Sequence, residues 1–365
     1  MLSQQSSPLS VPQRSELISN FLYSLKSKAT QEKYLVYIKY FEKFHQNPID
    51  KLLSLDRKAI EDMLIEYIKS MRDNGLSYSS IYGRLAAIFS FLDLNDISIN
   101  QKKVKKFYGE HNKTIKDEAY TREDLQRMFE QASFRVKLII AIYSSTGIRK
   151  GAIIDLKLKH LKKIPDYNLY KFTIYENTKE EYYTYCTPEC ASIIDKYIEH
   201  RKKNGEKINE NSLLLRNDFD YRINARTPKS ASDNSLSRVM SDFQIRIGMR
   251  EVNHSTENYK YHRSSTSLYH GFRKYFNTCL ANCDVNVTIK EMLMGHSIGL
   301  DNAYFRPKEE KVLCEYVKAI NDLTINEENR LKRRVEKLEV EKSLMDQLRA
   351  EVLSIKQEME KYKEN

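Results

Sequence analysis

Four short patches in this 365-residue chain hold residue types suited to phosphoryl transfer. They are Thr146-Gly-Ile-Arg149, a polar turn carrying Lys179, His270-Gly-Phe-Arg273, and Gly295-His296 followed eight residues later by Tyr304. In-line attack on a phosphodiester builds negative charge on the non-bridging oxygens, and planar guanidinium groups neutralise it through paired hydrogen bonds. Arg149 and Arg273 suit that role. A tyrosine hydroxyl, with an ordinary pKa near 10, attacks only with help from a base or from nearby positive charge. Two arginines and two histidines would supply both to Tyr304, with Tyr316 as its nearest competitor among the 25 tyrosines. The departing 5′ oxygen needs a proton, and a lysine at a hairpin tip can reach over a bound strand to donate it. Lys179 is the candidate, and Lys171, one strand away, is the alternative.

Elements able to hold these groups are legible in the hydrophobic pattern. From Ser15 to about Phe107 it is helical: Leu17, Phe21, Leu22 and Leu25 share one face, and Tyr34, Ile38, Phe41 and Phe44 another, with Thr30 as the N-cap between them. Helices over Arg57–Arg72, stopped by Asn74-Gly75, and over Ser79–Leu92 complete a bundle at 14–107. The stretch Gln101–Tyr120 begins with KKVKK and reads as a basic connector, with a domain boundary at 108–118 and Lys102, Lys103, Lys105 and Lys106 as DNA contacts. Thr121-Arg-Glu-Asp opens a second domain by the capping-box pattern, and Val136–Tyr143 is apolar all round and therefore buried. A helix is expected to run to about Lys163. Leu169–Tyr175 and Glu181–Cys186 then read as a β-hairpin around Lys179. Residues 203–268 read as long connections around one or two helices, and the second domain closes at about residue 324. The fold class is thus mainly α with a small β-hairpin (α+β).

The tail from about Ile325 to Tyr362 lacks Gly and Pro and spaces Leu331, Val335, Leu338, Met345, Leu348 and Val352 by threes and fours. It reads as a coiled coil over 325–365, with Lys342 at a seam position and a three-residue break at 345–348. Self-association through 325–362 is expected, and a single amphipathic helix folded back on its own domain is the alternative.

Composition narrows the function classes. Lys and Arg number 61 against 50 Asp and Glu, a formal charge of +11, which makes a polyanion such as double-stranded DNA the natural partner. Residues 326–365 hold ten cationic against ten anionic side chains, so the excess lies in the globular parts. No apolar run approaches the ~20 residues that cross a bilayer, and residues 1–13 read as a loose tip without a signal core. Five cysteines at no disulfide spacing suit a reducing cytoplasm, and the Cys186/Cys190 and Cys279/Cys283 pairs lack the histidines of a zinc site. Neither metal nor cofactor is expected.

The segments TGIRKGAIIDLKLKHL, LYHGFRKYFNTCLA and LMGHSIGLDNAYFRP resemble the three signature boxes of tyrosine recombinases. The resemblance spans about residues 118–322, the helical bundle is similar in character to the family's core-binding domain, and the coiled tail lies outside the common pattern. Carried over, the family's six functional residues fall on Arg149, Lys179, His270, Arg273, His296 and Tyr304. The resemblance implies a 3′-phosphotyrosyl intermediate at Tyr304 and a free 5′ hydroxyl, reached without ATP or metal, with His270 assisting proton transfer and His296 hydrogen-bonding the phosphate. It also implies four protomers joining two DNA sites, with the helix Glu309–Leu323 docking on a neighbour, in a nucleoid-associated enzyme. The family often has an acidic residue three positions after the first arginine, where this chain has Ala152. A type IB topoisomerase and a catalytically silent DNA-binding regulator of the same fold are the rival readings.

Overall fold

The computed structural model describes residues 16–110, 118–217, 229–251, 266–299 and 305–363. The tip at 1–13, most of the expected linker, Pro228, the His262-Arg263 pair and Tyr304 lie outside the described residues. The chain divides into two compact units, the first ending with the bundle and the second beginning before Glu118.

The first unit is built from α1 (Glu16–Ser24), α2 (Lys28–His45), α3 (Arg57–Asp73), α4 (Tyr78–Leu94) and the short α5 (Gln101–Lys105). Its apolar faces meet in one core that includes Phe21, Ile38, Phe41, Leu64, Leu85 and Ile88. α3 stops as its sequence dictates, at Asn74 and a left-handed Gly75 with φ 72°. Two expectations need correcting. The residue before α2 is Ser27 rather than Thr30: Gln31 N–H already bonds Ser27 O at 2.9 Å, which puts Thr30 inside the helix. Residues 101–108 belong to the bundle and not to a connector, because Val104 and Tyr108 are buried in its core.

Lys103 is correspondingly engaged within its own unit. The Glu61 carboxylate accepts from Lys103 Nζ at 2.8 Å, from the Asn100 backbone N–H at 2.9 Å and from Arg57 Nε at 2.9 Å. Of the four lysines assigned to DNA, Lys102, Lys105 and Lys106 are exposed, and Lys105 lies over the Phe89 ring.

The second unit is a helical domain with one small sheet. α6 (Arg122–Gln131) opens with the expected capping box between Thr121 and Asp124. α7 (Phe134–Thr146) is buried from Leu138 to Thr146 and forms the axis of the core. Three strands follow, β1 (Leu161–Ile164), β2 (Leu169–Ile174) and β3 (Tyr182–Tyr185), antiparallel in the order β1-β2-β3. The hairpin is where the sequence put it, but the helix expected up to Lys163 is replaced by two short 3₁₀ turns and by β1. Pairing of Leu161 with Phe172 and of Ile164 with Leu169 supplies ladder bonds that outweigh local helix preference. Then come α8 (Pro188–Lys203), α9 (Asp233–Arg246), α10 (His270–Asn282), α11 (Val287–Leu293), α12 (Glu309–Leu323) and α13 (Glu327–Lys363).

The helix expected to dock on a neighbouring protomer, α12, places one face in its own core and leaves Leu313 and Val317 partly buried. Val312, Tyr316, Ala319, Ile320 and Leu323 are all buried in its own core, where α12 packs on α7 and α10. An axial helix that is apolar on every side needs cover from its own chain, and α12 is part of that cover.

One pH prediction arises from Glu61. Lys103 first, then the Asn100 N–H and Arg57, hold its folded carboxyl down at about 2, against the ordinary 4.5. A group depressed on folding stabilises the fold above its unfolded value and loses that contribution as pH falls through the folded one. Amide exchange in α3 and α5 should therefore accelerate as pH drops from about 4.5 toward 2, after correction for intrinsic rates. Glu61→Gln should flatten this dependence, and an identical profile in that variant would contradict the assignment.

Candidate active site

Arg149 owes its place to the end of α7. The buried hydroxyls of Ser144, Ser145 and Thr146 return to carbonyls four residues back, at 2.7, 2.6 and 2.6 Å, so no polar atom there is stranded. Gly147 then turns left-handed with φ 61°, and its N–H bonds Tyr143 O at 3.1 Å. A Cβ on Gly147 would lie 2.3 Å from the buried Phe276 ring, so both conformation and space require glycine. Past this turn Ile148 is buried and Arg149 emerges half-buried.

Arg273 lies in the first turn of α10 and is 5% exposed. Its Nη1 donates to Gly147 O at 2.6 Å, and its Nη2 to Met294 O at 2.5 Å. Burial pulls Arg273 below the usual arginine range, and the Arg149 charge adds to that pull.

The third part is the end of α11, which closes as a Schellman turn. Gly295 is left-handed with φ 62°, its N–H bonds Met292 O at 2.9 Å, and His296 N–H bonds Glu291 O at 3.0 Å. Here too a Cβ is excluded, since it would meet the Tyr182 ring of β3 at 2.4 Å. Arg149 Nη2 donates to the Gly295 carbonyl at 2.8 Å. Ala152 is buried where the family resemblance leads one to expect an acid, so Arg149 is held by this carbonyl rather than by a carboxylate. Two glycine turns, 148 residues apart, thus hold two arginines side by side.

His296 completes the group. An arginine can only donate, so His296 Nε2, 2.7 Å from Arg273 Nη2, presents its lone pair. The ring proton then sits on Nδ1 and is donated to Glu291 Oε2 at 2.5 Å. The hydrogen-bond network therefore assigns a neutral imidazole in the Nδ1–H form. Sequence reasoning missed Glu291, although its place one helical turn before a Gly-His terminus was a usable signal.

Above these groups lies a cavity of about 680 Å³ whose lining includes Arg149, His296, Gly295, Lys171 and Lys179. The two lysines differ. Lys171 is engaged, donating to Glu309 at 2.6 Å with its Nζ 4.4 Å from the Tyr183 ring centre. Lys179, on the turn between β2 and β3, is exposed, and no ion pair holds it among the described residues. Tyr182, also on the cavity wall, is pushed up by burial.

Not every expected residue joins the cluster. His270 is exposed at the first position of α10, one turn before Arg273, and among the described residues no hydrogen bond ties it to the other members. Tyr316, the alternative nucleophile, is fully buried, donates to Ser145 O at 2.8 Å and is pushed far up by burial. It is a core residue. Among the described residues no group of three or more His, Cys, Asp and Glu is placed to hold a metal ion, and no helix is long and apolar enough to cross a membrane.

The role of Glu291 is testable without a substrate. Nitrogen NMR of the full chain should find His296 in the Nδ1–H form, and Glu291→Ala should shift the Nδ1 resonance as its charged acceptor is lost, while Arg273 keeps the lone pair on Nε2. An unchanged Nδ1 resonance in that variant would remove Glu291 from the site.

No family model and no curated protein matches the sequence. Solved structures do match. The integrase of transposon Tn1549 in complex with transposon right-end DNA is 16% identical, with 83% of this chain and 98% of that one covered and a TM-score of 0.52. The same integrase in complex with circular-intermediate DNA is 19% identical, with 82% and 97% covered and a TM-score of 0.50. At this identity the likeness is one of fold: the chain shares the fold of this integrase.

Proposed function

We propose that the chain is a site-specific DNA recombinase that breaks and rejoins duplex strands through a covalent bond to Tyr304. The observation that carries this reading is the meeting of Arg149, Arg273 and His296 beneath a cavity whose rim bears the exposed Lys179. The net charge of +11 adds to it, as phosphate contacts supply most of the affinity for DNA. The Tn1549 integrase was solved on DNA, which makes DNA the first ligand to test here.

In this mechanism the Tyr304 hydroxyl oxygen attacks the phosphorus and the bond from phosphorus to the 5′ oxygen breaks. The tyrosyl proton leaves to a base, for which His270 is the candidate, and Lys179 delivers a proton to the departing oxygen. Products are a 3′-phosphotyrosyl enzyme and a 5′ hydroxyl, whose reverse attack restores the backbone on the same or another strand. Arg149 lines the cavity, so it meets the phosphate first, and Arg273 strengthens the positive field from below. His296 contributes to the phosphate contact only as a donor, so in this mechanism its Nε2 takes up a proton as the incoming anion competes for Arg273. The resting arrangement favours this enzyme over a silent regulator at one point: Gly295 O holds Arg149 without the missing acid.

Two experiments test the roles. On a suicide DNA substrate the full chain should form a covalent adduct, and Tyr304→Phe should bind the same DNA and form none; an adduct with the variant would move the nucleophile elsewhere. Lys179→Ala should slow cleavage by roughly 10²–10⁴-fold and regain the rate on a substrate with sulfur at the 5′ leaving position. A variant that is slow on both substrates would reassign Lys179 to positioning.

A further inference from the structure

α13 is a continuous helix of 37 residues, about 55 Å long. Its root is fixed: the buried Glu189 of α8 accepts from the backbone N–H groups of Ile325 and Asn326, at 2.9 and 3.0 Å, and from Asn329 Nδ2 at 3.1 Å. Beyond Arg333 every described side chain is exposed, so the helix does not fold back on its own domain. Leu331, Leu338, Met345, Val352 and Met359 nevertheless recur at strict seven-residue intervals, each between 51% and 56% exposed. Val335 precedes the second of them by three residues, and Leu348 and Ile355 accompany the later ones at three-residue steps. A soluble helix does not keep an apolar stripe of this length in water without a partner.

We infer that the partner is α13 of a second copy, in a parallel two-stranded coiled coil. The charges beside the seam carry the choice. Where Val335 and Leu338 form the seam, Arg334 and Glu339 occupy the flanking positions that face each other across a parallel pair; where Val352 and Ile355 form it, Glu351 and Lys356 do so. Both pairs are opposite in sign. Among the described residues none of these four is ion-paired within its own chain, whereas Lys337 and Glu341, and Asp346 and Arg349, are paired along the helix. Lys342 is the one cation of the seam when the break at 345–348 is taken into account, and a single such residue holds register and strand number at some cost in stability. Glu341 and Asp346 flank that break, where an unfavourable pairing is relieved by the local loss of repeat.

Because Glu189 fixes the root of the helix, the pairing joins two catalytic units at one end of a common rod. The inference does not depend on the proposed chemistry. Light scattering on the full chain should give a dimer without DNA, and Leu338→Asp with Leu348→Asp should give a monomer of unchanged helicity. Arg334→Glu or Glu339→Arg alone should weaken the dimer roughly fivefold, and the two together should restore it. For orientation, Leu331→Cys in a Cys314→Ser background should crosslink to itself on oxidation. A chain that is monomeric at all concentrations, a dimer indifferent to the Leu338/Leu348 change, no recovery in the charge swap, or crosslinking of Leu331→Cys only to Met359→Cys would each overturn the proposal.

Discussion

Two guanidinium groups buried or half-buried within reach of each other are costly unless each N–H has an acceptor. This protein meets that demand with backbone carbonyls at two helix ends. α7 and α11 both close on left-handed glycines, and the carbonyls of Gly147, Met294 and Gly295 point at Arg273 and Arg149. Carbonyls at a helix C-terminus also carry the negative end of the helix dipole, so they suit cations without adding a carboxylate that would repel a phosphate. The positive field of the site is therefore kept, which an acid at position 152 would partly cancel.

Most of the second unit can be understood as support for that arrangement. α7 must be buried on all sides to hold Gly147 still, which requires cover from α8, α10 and α12. The sheet contributes from the other direction, with Tyr182 of β3 closing on Gly295 and leaving no room for a side chain. The same strands carry the turn that lifts Lys179 into the cavity wall while Lys171 is held by Glu309. His296 is bound on both ring nitrogens, by Arg273 and by Glu291, so its orientation is set before any ligand arrives.

The last two helices of the second unit serve different purposes. α12 completes the core, and the capped root at Glu189 separates it from α13, whose residues beyond Arg333 give nothing to that core. Its balanced charge and regular exposed stripe set it apart from the globular parts, which hold the excess of positive charge.

The sequence by itself determined the features that depend on local chemistry. Helix stops at Gly75, Gly147 and Gly295, the capping box at Thr121, the hairpin around Lys179 and the amphipathic stripes all follow from neighbours a few residues apart, and the family resemblance pointed to the helical fold. What neighbours cannot encode is pairing over long separations. The strand β1 exists because Leu161–Ile164 finds β2, residues 101–108 join the bundle because Glu61 and its core receive them, and α12 turns inward because α7 needs cover. Likewise, that Lys171 and the Tyr316 hydroxyl are already engaged while Lys179 is exposed, and that Glu291 holds His296, became visible only when tertiary packing fixed which polar atoms have partners.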